Sequence, residues 1–157
     1  MTGKEPIGCR WLDVNKGDSG EPEYRSRLVA QEIKRDDRDG LFAATPPLEA
    51  KKALFNTVMT NFAKGRKWVN KNDKLTSLFV DVKRAYFYAD ACRPMFVKLP
   101  AEDAAPGMVG RLNKAMYGTR DAASNWEKKY GEHLERVGFI TGKSTPCAFY
   151  HPGRDVR

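Results

Sequence analysis

Leu75-Thr76-Ser77-Leu78-Phe79-Val80-Asp81-Val82-Lys83-Arg84-Ala85-Tyr86-Phe87 opens on the longest nearly uncharged apolar run of the sequence. Its first eight residues form a short, almost uncharged run rich in Leu, Phe and Val, which predicts a buried strand that delivers Asp81 near its end. Residues 84–87 then predict a short helical turn. Taken alone, Asp81 has two readings. It caps the turn that starts at Lys83, where an aspartate accepts backbone N–H bonds, or it offers hard carboxylate oxygens to a metal ion.

Upstream, residues 9–32 alternate apolar and polar around the cluster Asn15-Lys16-Gly17-Asp18-Ser19-Gly20-Glu21-Pro22, which predicts a β-hairpin with a loose polar loop. Arg25 and Arg27 stand two apart, so on a strand they project from one face, where guanidinium forks can hold phosphate oxygens. An ordinary wet hairpin face explains the same alternation. Thr45-Pro46 supplies a cap and a first-turn proline. Leu48, Leu54, Phe55, Val58, Met59 and Phe62 then fall at helical spacing until Lys64-Gly65, predicting an amphipathic helix packed on a sheet.

Downstream, strands are expected at 95–99 and 108–113, separated by a turn with two prolines and a final glycine. Ala123, Trp126, Tyr130, Leu134 and Val137 recur every three or four residues, and Gly138 closes that second helix. A last short strand is expected at 147–150. Strands and helices alternate irregularly and no glycine-rich phosphate loop occurs, so the expected class is α+β with a largely antiparallel sheet.

At 157 residues, 41% apolar and 11% aromatic, the chain has enough material for a core. The longest apolar run, about eight residues, is far short of the roughly 20 that a membrane span needs, and no charged-then-apolar leader opens the sequence. Cys9, Cys92 and Cys147 are odd in number and widely spaced, which fits reduced thiols in an intracellular compartment, cytoplasmic or nuclear rather than secreted. With only His133 and His151 beside them, no structural zinc site is expected.

The net charge of +8 points to a polyanionic partner. Lys51, Lys52, Lys64, Arg66, Lys67, Lys71 and Lys74 face a single acid, Asp73, across 24 residues, and Trp68 sits among them. Such a cluster neutralises phosphates while its aromatic stacks on a base. Solubilising lysines on an exposed helix are the plainer alternative.

Four strings in order resemble the reverse transcriptase of copia-type LTR retrotransposons. Residues 24–31, YRSRLVAQ, are similar to the family's basic fingers strand; residues 79–87, FVDVKRAYF, resemble its first catalytic block. Residues 111–126, RLNKAMYGTRDAASNW, resemble the block often written LKKSLYGLKQAPRAW. Gly138-Phe139 with residues 147–150 is similar to the segment preceding the second catalytic block.

The resemblance implies polymerase right-hand architecture: a fingers-like hairpin and helix over about 9–75, an incomplete palm over about 76–151, and a truncated tail at 152–157. It implies that Asp81 ligates both catalytic Mg²⁺ ions, Mn²⁺ being the other candidate, with the Val82 carbonyl assisting. Two such ions would lower the pKa of a primer 3′-hydroxyl and stabilise the leaving pyrophosphate. Tyr86 would lie under the incoming sugar and exclude a 2′-hydroxyl; its plainer reading is a core aromatic beside Phe87, over which the resemblance favours the gate. Arg25 and Arg27 would face the triphosphate or the template backbone, while the charge pattern, apart from the resemblance, makes Lys51, Lys52, Lys64, Arg66, Lys67, Trp68 and Lys71 the candidate nucleic-acid contacts. The implied partners are an RNA or DNA template-primer, deoxynucleoside triphosphates and the remainder of a Pol polyprotein, with no membrane.

Two departures matter. Asp121 stands where the family usually has Gln, and Ser124 where it has Arg. A new negative charge either weakens triphosphate contact by repulsion or serves as a first-turn helix carboxylate favoured by the helix dipole. The paired-aspartate block (YVDD-like) does not occur by Arg157, and Asp36-Asp37 reads as solvated loop, so this polypeptide is expected to be catalytically incomplete by itself. The reading from another class is a non-catalytic basic nucleic-acid-binding module or degenerate relic.

Overall fold

The polar cluster after residue 14 closes a β-hairpin through its own side chains. Asn15 Oδ1 accepts from the backbone N–H groups of Gly17 (3.0 Å) and Glu23 (2.9 Å), and Asp18 Oδ1 from those of Gly20 (2.9 Å) and Glu21 (2.8 Å). The flanking strands β1 (Cys9–Asn15) and β2 (Tyr24–Ala30) pair antiparallel in register from Cys9↔Ala30 to Asn15↔Tyr24. The computed structural model describes residues 5–59 and 78–154.

Beyond the hairpin the order is α1 (Leu48–Met59), a 3₁₀ turn at Ala85–Tyr88, β3 (Phe96–Val97), β4 (Gly110–Arg111), α2 (Ala122–Arg136), β5 (Ile140–Thr141) and β6 (Phe149–Tyr150). The chain forms two compact units. One comprises Met1–Ala43 and Arg84–Lys129, the other Ala44–Lys83 and Tyr130–Arg157.

In the first unit, β3 and β4 belong to a longer antiparallel run. Leu112 N–H donates to Met95 O (2.9 Å), Ala91 N–H to Asn113 O (3.1 Å) and Ala115 N–H to Ala89 O (2.9 Å). The segment before β1 joins its edge, with Ile7 bonding Phe96 O and Lys98 N–H at 2.8 Å each. The buried centre is small: Ala89, Ala115 and Ala122, with Tyr86 and Trp126 packed on them. Met95 is the largest fully buried side chain among the described residues, and Val97 is buried nearby in the sequence. Alanines at this centre bring helix and ladder close, and the aromatics supply the apolar area that the alanines lack.

In the second unit, the last two turns of α2 carry Tyr130, which meets Phe149 of β6 edge-on at 5.9 Å. The helix ends as its sequence predicts. Gly138 adopts φ 97°, and Phe139 N–H returns to Leu134 O at 3.0 Å, the left-handed glycine cap that satisfies terminal carbonyls.

Three expectations need correction. The α+β class and the antiparallel pairing hold, but in place of one sheet the described residues form three separate two-stranded antiparallel sheets. The strand expected at 75–82 is not seen over its described part. Leu78, Phe79 and Val80 are 86%, 75% and 73% exposed and form no ladder with a described strand, and an isolated strand is not stable in water. Nor do the described apolar positions of α1 show the burial expected of a helix packed on a sheet. Leu48, Leu54 and Phe55 remain substantially exposed, and Phe55 stacks on Phe79 at 5.8 Å. The expected end of α1 at Lys64-Gly65 lies outside the described residues.

Candidate functional site

The arginine-bearing hairpin is fixed at its base. Ala30 N–H donates to Tyr117 O (2.8 Å) and Glu32 N–H to Gly118 O (3.2 Å), so the chain after β2 runs along the turn that precedes α2. Gly118 makes this approach possible: it sits at φ 86°, and an added Cβ would fall on the Ala30 carbonyl.

Beside that junction three arginines interlock with three carboxylates. Arg93 Nη2 donates to both Glu32 oxygens (2.7 and 2.8 Å), and its Nε donates to Asp121 Oδ2 (3.0 Å). Arg38 bridges Glu32 and Asp36 at 3.0 Å each, Arg120 Nη1 closes on Asp36 (2.6 Å), and the Arg120 N–H donates to Glu32 (2.9 Å). The Glu32 and Asp121 side chains are 7% and 4% exposed. Burial of that order is tolerable for a charge only with this degree of pairing.

Asp121 therefore has a defined place. Its carbonyl accepts from Asn125 N–H (2.9 Å) and Ser124 Oγ (3.1 Å), opening α2, while its carboxylate turns to Arg93 and to the Cys92 thiol (3.2 Å). Burial pushes this carboxyl up, but hydrogen bonds from Arg93 and Cys92 together with the Arg93 charge outweigh it, and the net shift is downward. Sequence reasoning named Asp121 but missed Glu32 and Arg93, whose partners lie 61 and 28 residues away in the chain.

Tyr86 lies in the same unit, against the alanine centre, with its ring 4.6 Å from that of Tyr117. Tyr117 is also the residue whose carbonyl holds Ala30, so Tyr86 and the hairpin base share one neighbour. Arg25 and Arg27 are exposed on β2, and Arg25 pairs with Glu23 at 3.2 Å.

Asp81 belongs to the other unit, at the end of the exposed 78–80 run. It is exposed, and no described residue hydrogen-bonds or ion-pairs with it. One carboxylate with the adjacent Val82 carbonyl is a hard-oxygen donor set of the kind Mg²⁺ takes. Among the described residues no group of three His, Cys, Asp or Glu side chains converges, so the donor type fits the ion while the donor count is that of a partial site. Lys51 and Lys52 are exposed on α1. Lys64, Arg66, Lys67, Trp68 and Lys71 lie outside the described residues. Cys9, Cys92 and Cys147 are free thiols, and no helix of the described residues is long and apolar enough to cross a membrane.

Residues 2–152 match the family described as "Reverse transcriptase (RNA-dependent DNA polymerase)". The chain belongs to this family. Among the relatives of this chain is the retrovirus-related Pol polyprotein from transposon TNT 1-94 of Nicotiana tabacum, 26% identical over 94% of this chain and 11% of the relative. Those from transposons RE2 and RE1 of Arabidopsis thaliana are 26% and 25% identical, each over 91% of this chain and 10% of the relative. The chain thus spans about a tenth of the length of the curated relatives it matches. No solved structure matches it.

Proposed function

We propose that this chain is the template- and nucleotide-facing portion of a copia-type reverse transcriptase within a retrotransposon Pol polyprotein, serving two-metal nucleotidyl transfer. The observation that carries the reading is the contrast between carboxylates. Glu32 and Asp121 are locked into arginine pairs, whereas Asp81, in the string similar to the first catalytic block, stays exposed and unengaged by any described residue.

In this reading Asp81, with the Val82 carbonyl, contributes part of a Mg²⁺ or Mn²⁺ site, and substrate phosphates and further ligands complete it. Bound metal supplies Lewis-acid activation of the primer hydroxyl and charge neutralisation at the leaving group. Tyr86 forms the floor that selects deoxyribose, held in place by Tyr117 and the alanine centre. Arg25 and Arg27 meet phosphate on the hairpin, and Lys51, Lys52, Lys64, Arg66, Lys67, Trp68 and Lys71 follow the nucleic-acid backbone. Asp121 anchors Arg93 rather than touching nucleotide.

Thermal unfolding of the 157-residue chain tests this. Mg²⁺ with a deoxynucleoside triphosphate at a hundredfold excess over Kd is expected to stabilise it by about 2.7 kcal/mol, and Asp81→Asn removes the gain. Salt-sensitive RNA binding with no response to Mg²⁺ and nucleotide identifies a non-catalytic module instead. No primer extension is expected from this polypeptide alone, since Asp81 supplies only part of the ligand set. Extension that Asp81→Ala abolishes would overturn that last point.

A further inference from the structure

The β1–β2 ribbon is a cantilever. Residues 10–27 are all exposed, Leu28 and Val29 are half-buried, and Ala30 is buried. At the rise of a strand, Arg25 stands about 17 Å beyond Ala30. A tilt of about 10° at the base therefore moves Arg25 by about 3 Å, enough to break a hydrogen bond to phosphate. Whatever sets that tilt governs where the arginines reach. Backbone bonds locate the base: Ala30 and Glu32 donate to Tyr117 O and Gly118 O, and Ile7 bonds Phe96 O and Lys98 N–H. The Glu32 side chain then ties it to three further points. Its Oε1 accepts from Arg93 Nη2 (2.8 Å) and Arg38 Nη1 (3.0 Å), and its Oε2 from Arg93 Nη2 (2.7 Å) and the Arg120 N–H (2.9 Å).

The cluster does not need the charge of Glu32 to balance its arginines. Arg93 also holds Asp121, and Arg38 and Arg120 both hold Asp36, so each guanidinium keeps a carboxylate when Glu32 loses its charge. Yet the Glu32 side chain is 7% exposed, and burying an anion carries a desolvation penalty that ion pairing alone often fails to offset. A buried ionic group of this kind can be retained for the single geometry it specifies. Glu32 is placed for that role. It lies just past the end of β2, and its two oxygens join residues 38, 93 and 120 at one point. We propose that Glu32 is a positioning residue for phosphate contact, its carboxylate setting the inclination of the ribbon and through it the reach of Arg25 and Arg27. This rests on the reading above in which those two arginines meet phosphate.

Fluorescence anisotropy of the full chain with a labelled uridine oligonucleotide, titrated with salt well below the melting transition, separates positioning from charge and from folding. A merely structural role lowers the melting temperature and leaves the affinity of the folded chain alone. Removing an acid from a chain of net charge +8 should, by charge alone, tighten binding to a polyanion. Glu32→Gln is expected instead to weaken it about fivefold, the low end of what lost preorganisation costs. The slope of log K against log salt should stay as in wild type, whereas Arg27→Gln, which deletes a phosphate contact, lowers it by about 0.7. Glu32→Asp keeps the charge but is one methylene too short to hold Arg93 and the Arg120 N–H together, so it should weaken binding about twofold at the same slope; it also carries the test if Glu32→Gln does not fold. Binding unchanged or tightened in the Glu32 variants, or a slope that Glu32→Gln lowers as far as Arg27→Gln does, overturns the positioning role and leaves the arginine reading intact. No binding by the wild-type chain, or an Arg27→Gln variant that binds as wild type does, overturns that reading and the proposal with it.

Discussion

Replacing Gly118 by alanine is expected to cost about 4 kcal/mol or more, enough to unfold the first unit under conditions where the wild-type chain is folded. Two penalties combine. A side chain at φ 86° carries roughly 1–2 kcal/mol of backbone strain. The new methyl would also lie on the Ala30 carbonyl, which cannot retreat freely because the same residue donates its N–H to Tyr117 O. The hairpin base and the start of α2 would have to separate. Gly131 provides the control. It lies inside α2, where an added Cβ meets only Phe149 at 3.9 Å, so Gly131→Ala should stabilise by about 0.5–1 kcal/mol. Urea midpoints of the two variants should therefore move in opposite directions; a Gly118→Ala midpoint within error of wild type would refute the account of this junction.

Arg93→Met is expected to destabilise by about 3–5 kcal/mol, the cost of leaving a buried carboxylate without its partner. Asp121 loses its guanidinium, while Glu32 keeps Arg38 and the Arg120 N–H. Asp121→Leu alone should also cost stability, by orphaning part of Arg93. The double variant Arg93→Met/Asp121→Leu should recover much of the loss, because removing both charges removes the desolvation penalty with them. The same pair sets an acid limit. The Asp121 carboxyl titrates lower in the folded chain than its unfolded value near 3.9. Its contribution is therefore complete above about pH 4 and disappears as pH falls through the folded value. Arg93→Met should flatten that part of the stability profile, and an unchanged acid limb would show that another carboxylate governs it.

What could be read from sequence was what depends on near neighbours. The β1–β2 hairpin follows from alternation and from Asn15 and Asp18, whose side chains close the loop within a few residues. Helix α2 and its stop at Gly138 follow from three-and-four spacing and from a backbone angle that glycine favours. The run ending at Asp81 misled because hydrophobicity reports that a segment would gain from being covered, not whether a covering strand is at hand. The strand pair β5–β6 was half missed: Ile140 and Thr141 are too few to show alternation. The charge cluster around Glu32 left no local signal, since each member looks like a surface residue until the chain folds back on itself.

The interlock of Arg93 with Asp121 also constrains inheritance. A descendant that loses the acid at 121 retains a guanidinium drawn toward one remaining buried carboxylate, and a descendant that loses the guanidinium strands an anion. Drift at either position is costly unless the other changes within few generations, so the two sites should vary together across lineages although 28 residues separate them.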